Sequence, residues 1–67
     1  MNITVNEETL QVPSDLETIE DFRTHFNLVE KKAMIEHNKV ALRPDEYTQT
    51  ALAEGDQIVV VRFVGGG

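Results

Sequence analysis

The chain closes on Gln57-Ile58-Val59-Val60-Val61-Arg62-Phe63-Val64-Gly65-Gly66-Gly67, and the stretch from Gln57 to Val64 is its longest and most apolar. A short β-branched run, set off by the turn residues Glu54-Gly55-Asp56, reads as a strand in the middle of a sheet. The three glycines behind it reach about 10 Å in extended chain and carry no Cβ. At a background glycine usage of about 7%, three in a row at a specified position arise about three times in ten thousand. A flexible linker is the plain alternative, but nothing else in the sequence looks like an added tag. A tail without side chains is suited to thread a narrow slot leading to another protein's active site.

Working outward from that strand, Asn2-Ile3-Thr4-Val5-Asn6 alternates polar and apolar, with Ile3 and Val5 pointing inward. Asn6-Glu7-Glu8-Thr9 reads as a hairpin turn, after which Leu10 and Val12 resume the buried side. Pro13 stops the strand. The spacing predicts a helix capped by Thr18, with Asp21 completing a capping box and acidic residues in the first turn. Ile19, Phe22 and Phe26 fall on one face of it and cover the sheet, and Asn27 supplies a left-handed end. A third strand follows at Ala33-Met34-Ile35-Glu36-His37 and a fourth at Val40-Ala41-Leu42, joined by a tight turn containing Asn38. Arg43-Pro44-Asp45-Glu46-Tyr47 reads as a single helical turn with Tyr47 as its inward anchor. A hairpin, a helix, short strands and a central strand make an α+β roll of the β-grasp type, a mixed four- or five-stranded sheet with one main helix packed across it. The expected organisation is one domain over residues 1–64 and a flexible glycine tail at Gly65, Gly66 and Gly67.

Bulk properties narrow the function classes. A chain of 67 residues buries roughly 60% of its unfolded surface, enough for one modest core but not for a deep private pocket. It has no cysteine, which excludes disulfides, thiolate metal sites and a thiol nucleophile. Twelve acidic against six basic side chains give a net charge of −6, the wrong sign for wrapping nucleic acid or an anionic membrane, and suited to approaching a basic partner. No apolar run approaches the roughly 20 residues of a membrane span, and no leader is evident ahead of Met1, so a cytoplasmic protein is expected. His25 and His37 lack companion ligands in the sequence and read as surface histidines.

Alternation along the last strand also gives a candidate docking face. With Ile58 and Val60 toward the helix, Val59, Val61 and Phe63 face away, and Met34 on the neighbouring strand joins them. An exposed apolar patch of this kind, leading through Val64 to the tail, often marks a partner site in a small protein. The opposite parity, or loops covering these side chains, is the competing reading.

Taken in register, these features resemble the ThiS family, the thiamine-pathway sulfur carriers of the ubiquitin-like β-grasp superfamily. The resemblance spans the whole chain. It rests on the length, the opening strand Met1 to Val5, the capped helix at Thr18, Glu36-His37-Asn38-Lys39, Glu54-Gly55-Asp56, and the ending Val64-Gly65-Gly66-Gly67, of which only the last is specific. It implies a protein co-substrate rather than an enzyme. The carboxylate of Gly67 is adenylated by a partner that uses ATP and magnesium, becomes a thiocarboxylate with sulfur from a cysteine desulfurase or another donor, and delivers that sulfur to thiazole synthase. The carrier itself binds no cofactor and no metal, supplies no catalytic residue, and is monomeric when free. Related possibilities are the small subunit of molybdopterin synthase, whose members tend to be longer, a ubiquitin-like protein modifier that joins its terminus to lysine, and an interaction domain with an inert tail.

Overall fold

The computed structural model describes residues 1–28 and 33–62. Within them the elements are β1 (Asn2–Val5), β2 (Glu8–Gln11), α1 (Ile19–His25), β3 (Ala33–His37), β4 (Val40–Leu42), one turn of 3-10 helix at Pro44–Glu46, and β5 (Gln57–Arg62). The strands form a mixed sheet in the order β2-β1-β5-β3-β4. β5 is therefore central, as its unbroken apolar run requires. It pairs parallel with β1 (Thr4 opposite Gln57, Val5 opposite Ile58) and antiparallel with β3, from His37 opposite Ile58 to Ala33 opposite Arg62. This is the β-grasp roll expected from the element order.

Both hairpins turn on two residues. Asn6 and Glu7 have φ of 50° and 70°, and Asn38 and Lys39 have φ of 50° and 73°, the left-handed pair that a type I′ turn demands. The first turn is thus tighter than the four-residue stretch expected, and β2 begins at Glu8. Asparagine accepts this conformation because its short polar side chain bonds locally. Glutamate and lysine do not share that advantage, so each hairpin carries some backbone strain.

The helix has seven residues and stands on its caps. Thr18 Oγ1 accepts the Asp21 amide at 3.2 Å, while Asp21 Oδ2 accepts the amides of Thr18 at 3.1 Å and Glu17 at 2.8 Å. The amides of Ile19 and Glu20 donate to the carbonyls of Thr50 and Tyr47, each at 3.0 Å. Every N–H of the first turn thus has an acceptor, which a helix too short to be stable alone requires. At the other end Asn27 (φ 58°) reverses the chain. The amide of Leu28 reaches the carbonyl of Arg23 and that of Asn27 the carbonyl of Thr24, the two bonds of a Schellman close.

One face of the sheet carries the core. Ile3, Ile35 and Ile58 are buried beneath Ile19 and Phe22 of the helix, with Val12, Leu28, Tyr47 and Leu52 closing the margins. Phe26 falls one step past the helix and is only half-buried, its ring 4.9 Å from that of Phe22. Tyr47 is the inward anchor expected, and the guanidinium of Arg23 lies 4.4 Å over its ring.

Candidate functional site

The alternation of β5 decides what the other face of the sheet presents. Ile58 is buried and Val60 half-buried against the helix side, whereas Val59 and Val61 are 38% and 45% exposed. Across the ladder, Met34 stands opposite Val61 and is 47% exposed, while Ile35 turns into the core. Val59, Val61 and Met34 therefore form one apolar stripe on the uncovered face, astride the β3–β5 pair. Glu36, opposite Val59, and Ala41 of β4, opposite Glu36, continue the same face. Toward β1 and β2 that face becomes polar, through Gln57, Thr4 and Thr9, which are opposed in register. Phe63, Val64, Gly65, Gly66 and Gly67, the remaining residues singled out in the sequence, lie outside the described residues. Val40, also exposed, was not singled out; it stands opposite His37, on the helix side of the sheet.

The reading of His37 as a surface residue does not hold. Its ring is half-buried, and Nε2 donates to Asp56 Oδ2 at 2.7 Å. Asp56 also accepts the Ala53 amide at 2.8 Å on Oδ2 and Asn38 Nδ2 at 3.2 Å on Oδ1. Burial pushes the Asp56 carboxyl up, but the donors of His37, Ala53 and Asn38 together outweigh it and leave the pKa below its ordinary value. The cluster ties the turn between β3 and β4 to the Glu54-Gly55-Asp56 turn that launches β5. Asn38 adds to the tie, because its Oδ1 accepts the Gln57 amide at 2.9 Å. His25 is exposed as expected, with its ring edge-on to Phe26 at 4.8 Å.

Two depressions flank the helix. One, about 620 Å³, is lined by Pro13, Asp15, Leu16, Glu17, Asp21, Thr24 and His25, but the Asp21 carboxylate is already engaged by the amides of the cap. The other, about 430 Å³, lies between the first hairpin and the end of α1, lined by Val5, Asn6, Leu10, Phe22, Phe26, Leu28 and Val60. It explains why Leu10, expected in the core, is only half-buried. None of its lining residues named here titrates. Among the described residues there is no cluster of three or more histidine or acidic side chains able to hold a metal ion, and no helix is long and apolar enough to cross a membrane.

Known proteins provide an independent comparison. The model of the ThiS family matches residues 1–67. A sulfur carrier protein ThiS from Bacillus subtilis (strain 168) is 32% identical over 63 residues, covering 94% of this chain and 96% of that protein. The crystal structure of a thiamine biosynthesis protein (ThiS) from Geobacter metallireducens superposes with a TM-score of 0.83 at 23% identity, covering 100% of both chains. A solution structure of a thiamine biosynthesis protein from the same organism gives the same score and identity over 100% of this chain and 88% of that one. At that identity the two structures speak for the fold.

Proposed function

The chain belongs to the ThiS family, and from that membership we propose that it is a sulfur carrier of thiamine biosynthesis whose reacting group is the carboxylate of Gly67. A carboxylate is a poor electrophile. Adenylation by a partner enzyme using ATP and magnesium makes it a mixed anhydride and releases pyrophosphate. The terminal sulfur of a persulfide, supplied by a cysteine desulfurase or an equivalent donor, then displaces AMP. Cleavage of the resulting acyl disulfide by a thiol leaves a thiocarboxylate for thiazole synthase. Every catalytic group in this sequence belongs to the partners, and the chain is a co-substrate rather than an enzyme. It acts in the cytoplasm, as a monomer between encounters.

The observation that carries this reading is the exposed apolar stripe of Val59 and Val61, on the strand that the glycine terminus follows in sequence, with Met34 beside them on β3. Phe63 and Val64, which follow in sequence ahead of Gly65 and Gly66, are assigned to the same docking segment. Contact made there brings Gly67 within reach of a neighbouring active site without any deep pocket on the carrier. Incubation with the cognate adenylating enzyme, ATP, magnesium and a sulfur donor, followed by intact mass measurement, tests it. Exchange of one terminal oxygen for sulfur is expected. A lysine conjugate, or no change while the partners are active on another carrier, refutes the reading.

A further inference from the structure

The two edges of β5 are held unequally. On the β3 side the ladder runs from His37 opposite Ile58 to the end of the strand, Ala33 opposite Arg62. On the β1 side it stops early: the Thr4 amide donates to the carbonyl of Asp56 and the Asn6 amide to that of Ile58, each at 2.9 Å, and β1 then turns away at Asn6 and Glu7. The next amide on that edge is Val60, and among the described residues no strand lies beside it. It is met instead by the side chain of Asn6, whose Oδ1 accepts the Val60 N–H at 2.8 Å across 54 residues of sequence. Asn38 makes the same kind of bond at the opposite corner of the strand, to Gln57.

We propose that Asn6 is a positioning residue for the carrier terminus, clamping β5 at Val60 on the edge where the β1 ladder has ended and so holding, together with the β3 ladder on the other edge, the direction in which the strand runs through Val61 and Arg62. The proposal rests on the carrier reading. An enzyme that must take up the terminus while reading Val59 and Val61 gains from a strand already held in the bound direction, because ordering it on binding costs affinity. The two asparagines share turn geometry and bond type, yet only Asn6 acts on the half of β5 nearest the terminus. This makes Asn38 a control supplied by the fold itself.

Asn6→Gly keeps the left-handed turn and removes the acceptor; Asn6→Asp keeps both; Asn38→Gly removes the equivalent bond at the start of the strand together with the bond to Asp56. Amide exchange at Val60, followed by NMR, and KM and kcat with the cognate adenylating enzyme are the readouts. For Asn6→Gly, loss of one net hydrogen bond predicts about fivefold faster exchange at Val60 and about fivefold higher KM, with kcat within about twofold of wild type. Asn6→Asp is expected to restore both, and Asn38→Gly to lower stability while leaving KM unchanged. Equal effects of the two glycine variants on KM, or failure of Asn6→Asp to rescue, overturns the positioning role even if the wild-type protein is modified normally. A wild-type protein left unmodified by competent partners overturns the carrier reading, and the positioning role with it.

Discussion

Replacing Asp56 with asparagine tests the polar cluster that anchors the start of β5. The carboxylate accepts from His37 Nε2 at 2.7 Å and from the Ala53 amide at 2.8 Å, both on Oδ2, and from Asn38 Nδ2 at 3.2 Å on Oδ1. In Asp56→Asn the new carbonyl oxygen takes the place of Oδ2 and keeps the first two donors, now on a neutral acceptor. A bond to a charged acceptor is stronger than a neutral one by about 1 kcal/mol, so these two positions lose roughly 2 kcal/mol. The new amide group meets Asn38 Nδ2 donor to donor. Asn38 has no relief by flipping, because its Oδ1 is committed to the Gln57 amide, but it is exposed and water takes its donor at small cost. About 2 kcal/mol is a large share of the roughly 3–10 kcal/mol available to a domain of this size, and corresponds to a fall in Tm of roughly 8–16 °C. The sign of the pH dependence follows from the depressed pKa. Stability from Asp56 is present above the unfolded carboxylate pKa of about 4 and is lost as pH falls through the lower folded value. Urea titrations followed by circular dichroism should therefore show a gap of about 2 kcal/mol between wild type and variant at pH 7, narrowing below about pH 4 as the wild-type carboxyl is neutralised. A gap under about 0.5 kcal/mol at pH 7, or one unchanged down to pH 3, would refute the account, since one net hydrogen bond already exceeds it.

The remaining expectations concern the turns, the helix cap and the uncovered face. Glu7→Gly and Lys39→Gly relieve left-handed backbone at φ 70° and 73° and are expected to raise stability by about 0.5 kcal/mol each, seen as a higher urea midpoint with an unchanged slope. Thr18→Ala leaves the Asp21 amide without its acceptor and should cost about 1 kcal/mol in the same assay. Val61→Asp places a charge on the exposed stripe, where stability should change by about 0.5 kcal/mol or less, yet thiocarboxylate formation should fall by about tenfold or more as the charge is desolvated on docking. Thiocarboxylate formation at the wild-type rate, measured by intact mass over time, would remove Val61 from the docking surface.

What was legible in the sequence was what local chemistry controls. Thr18 and Asp21 announce the helix start because both halves of a capping box lie within one turn, and the structure closes both halves. Strands β3 and β4 begin and end at the residues their alternation marks, with Asn38 supplying the turn between them. That Ile58 and Val60 share a face of β5 was readable from alternation, but which face they share was left open until the burial of Ile58 against the helix side decided it. What escaped was held by residues distant in sequence. His37 and Asp56 are 19 positions apart and meet only because β3 and β5 are neighbours. Asn6 and Val60, 54 positions apart, meet only because β1 turns away where it does. A histidine before a turn and an aspartate before a strand are individually ordinary, so no spacing rule pairs them. Val40, apolar by type, is exposed because β4 is a three-residue edge strand with no further strand beside it among the described residues.

One strand in this fold serves two surfaces, and that sets how far each can vary. β5 gives Ile58 and Val60 to the helix side and Val59 and Val61 to the open side, so its apolar run is explained only in part by folding. Were the outer positions needed for stability alone, polar β-branched residues would serve on an exposed face, as Thr4 and Thr9 do on β1 and β2 of the same sheet. Valines at Val59 and Val61 instead leave apolar surface in water next to Met34, an arrangement with an aggregation hazard and no compensating burial among the described residues. Such a stripe is understandable when a partner covers it during part of a cycle and the net charge of −6 keeps copies apart between encounters. On this argument threonine at both positions should leave the fold intact and weaken only the reactions that pass through the terminus. Substitution of Ile58 should impair both, because the inner side of the same strand holds the core that aims the outer one.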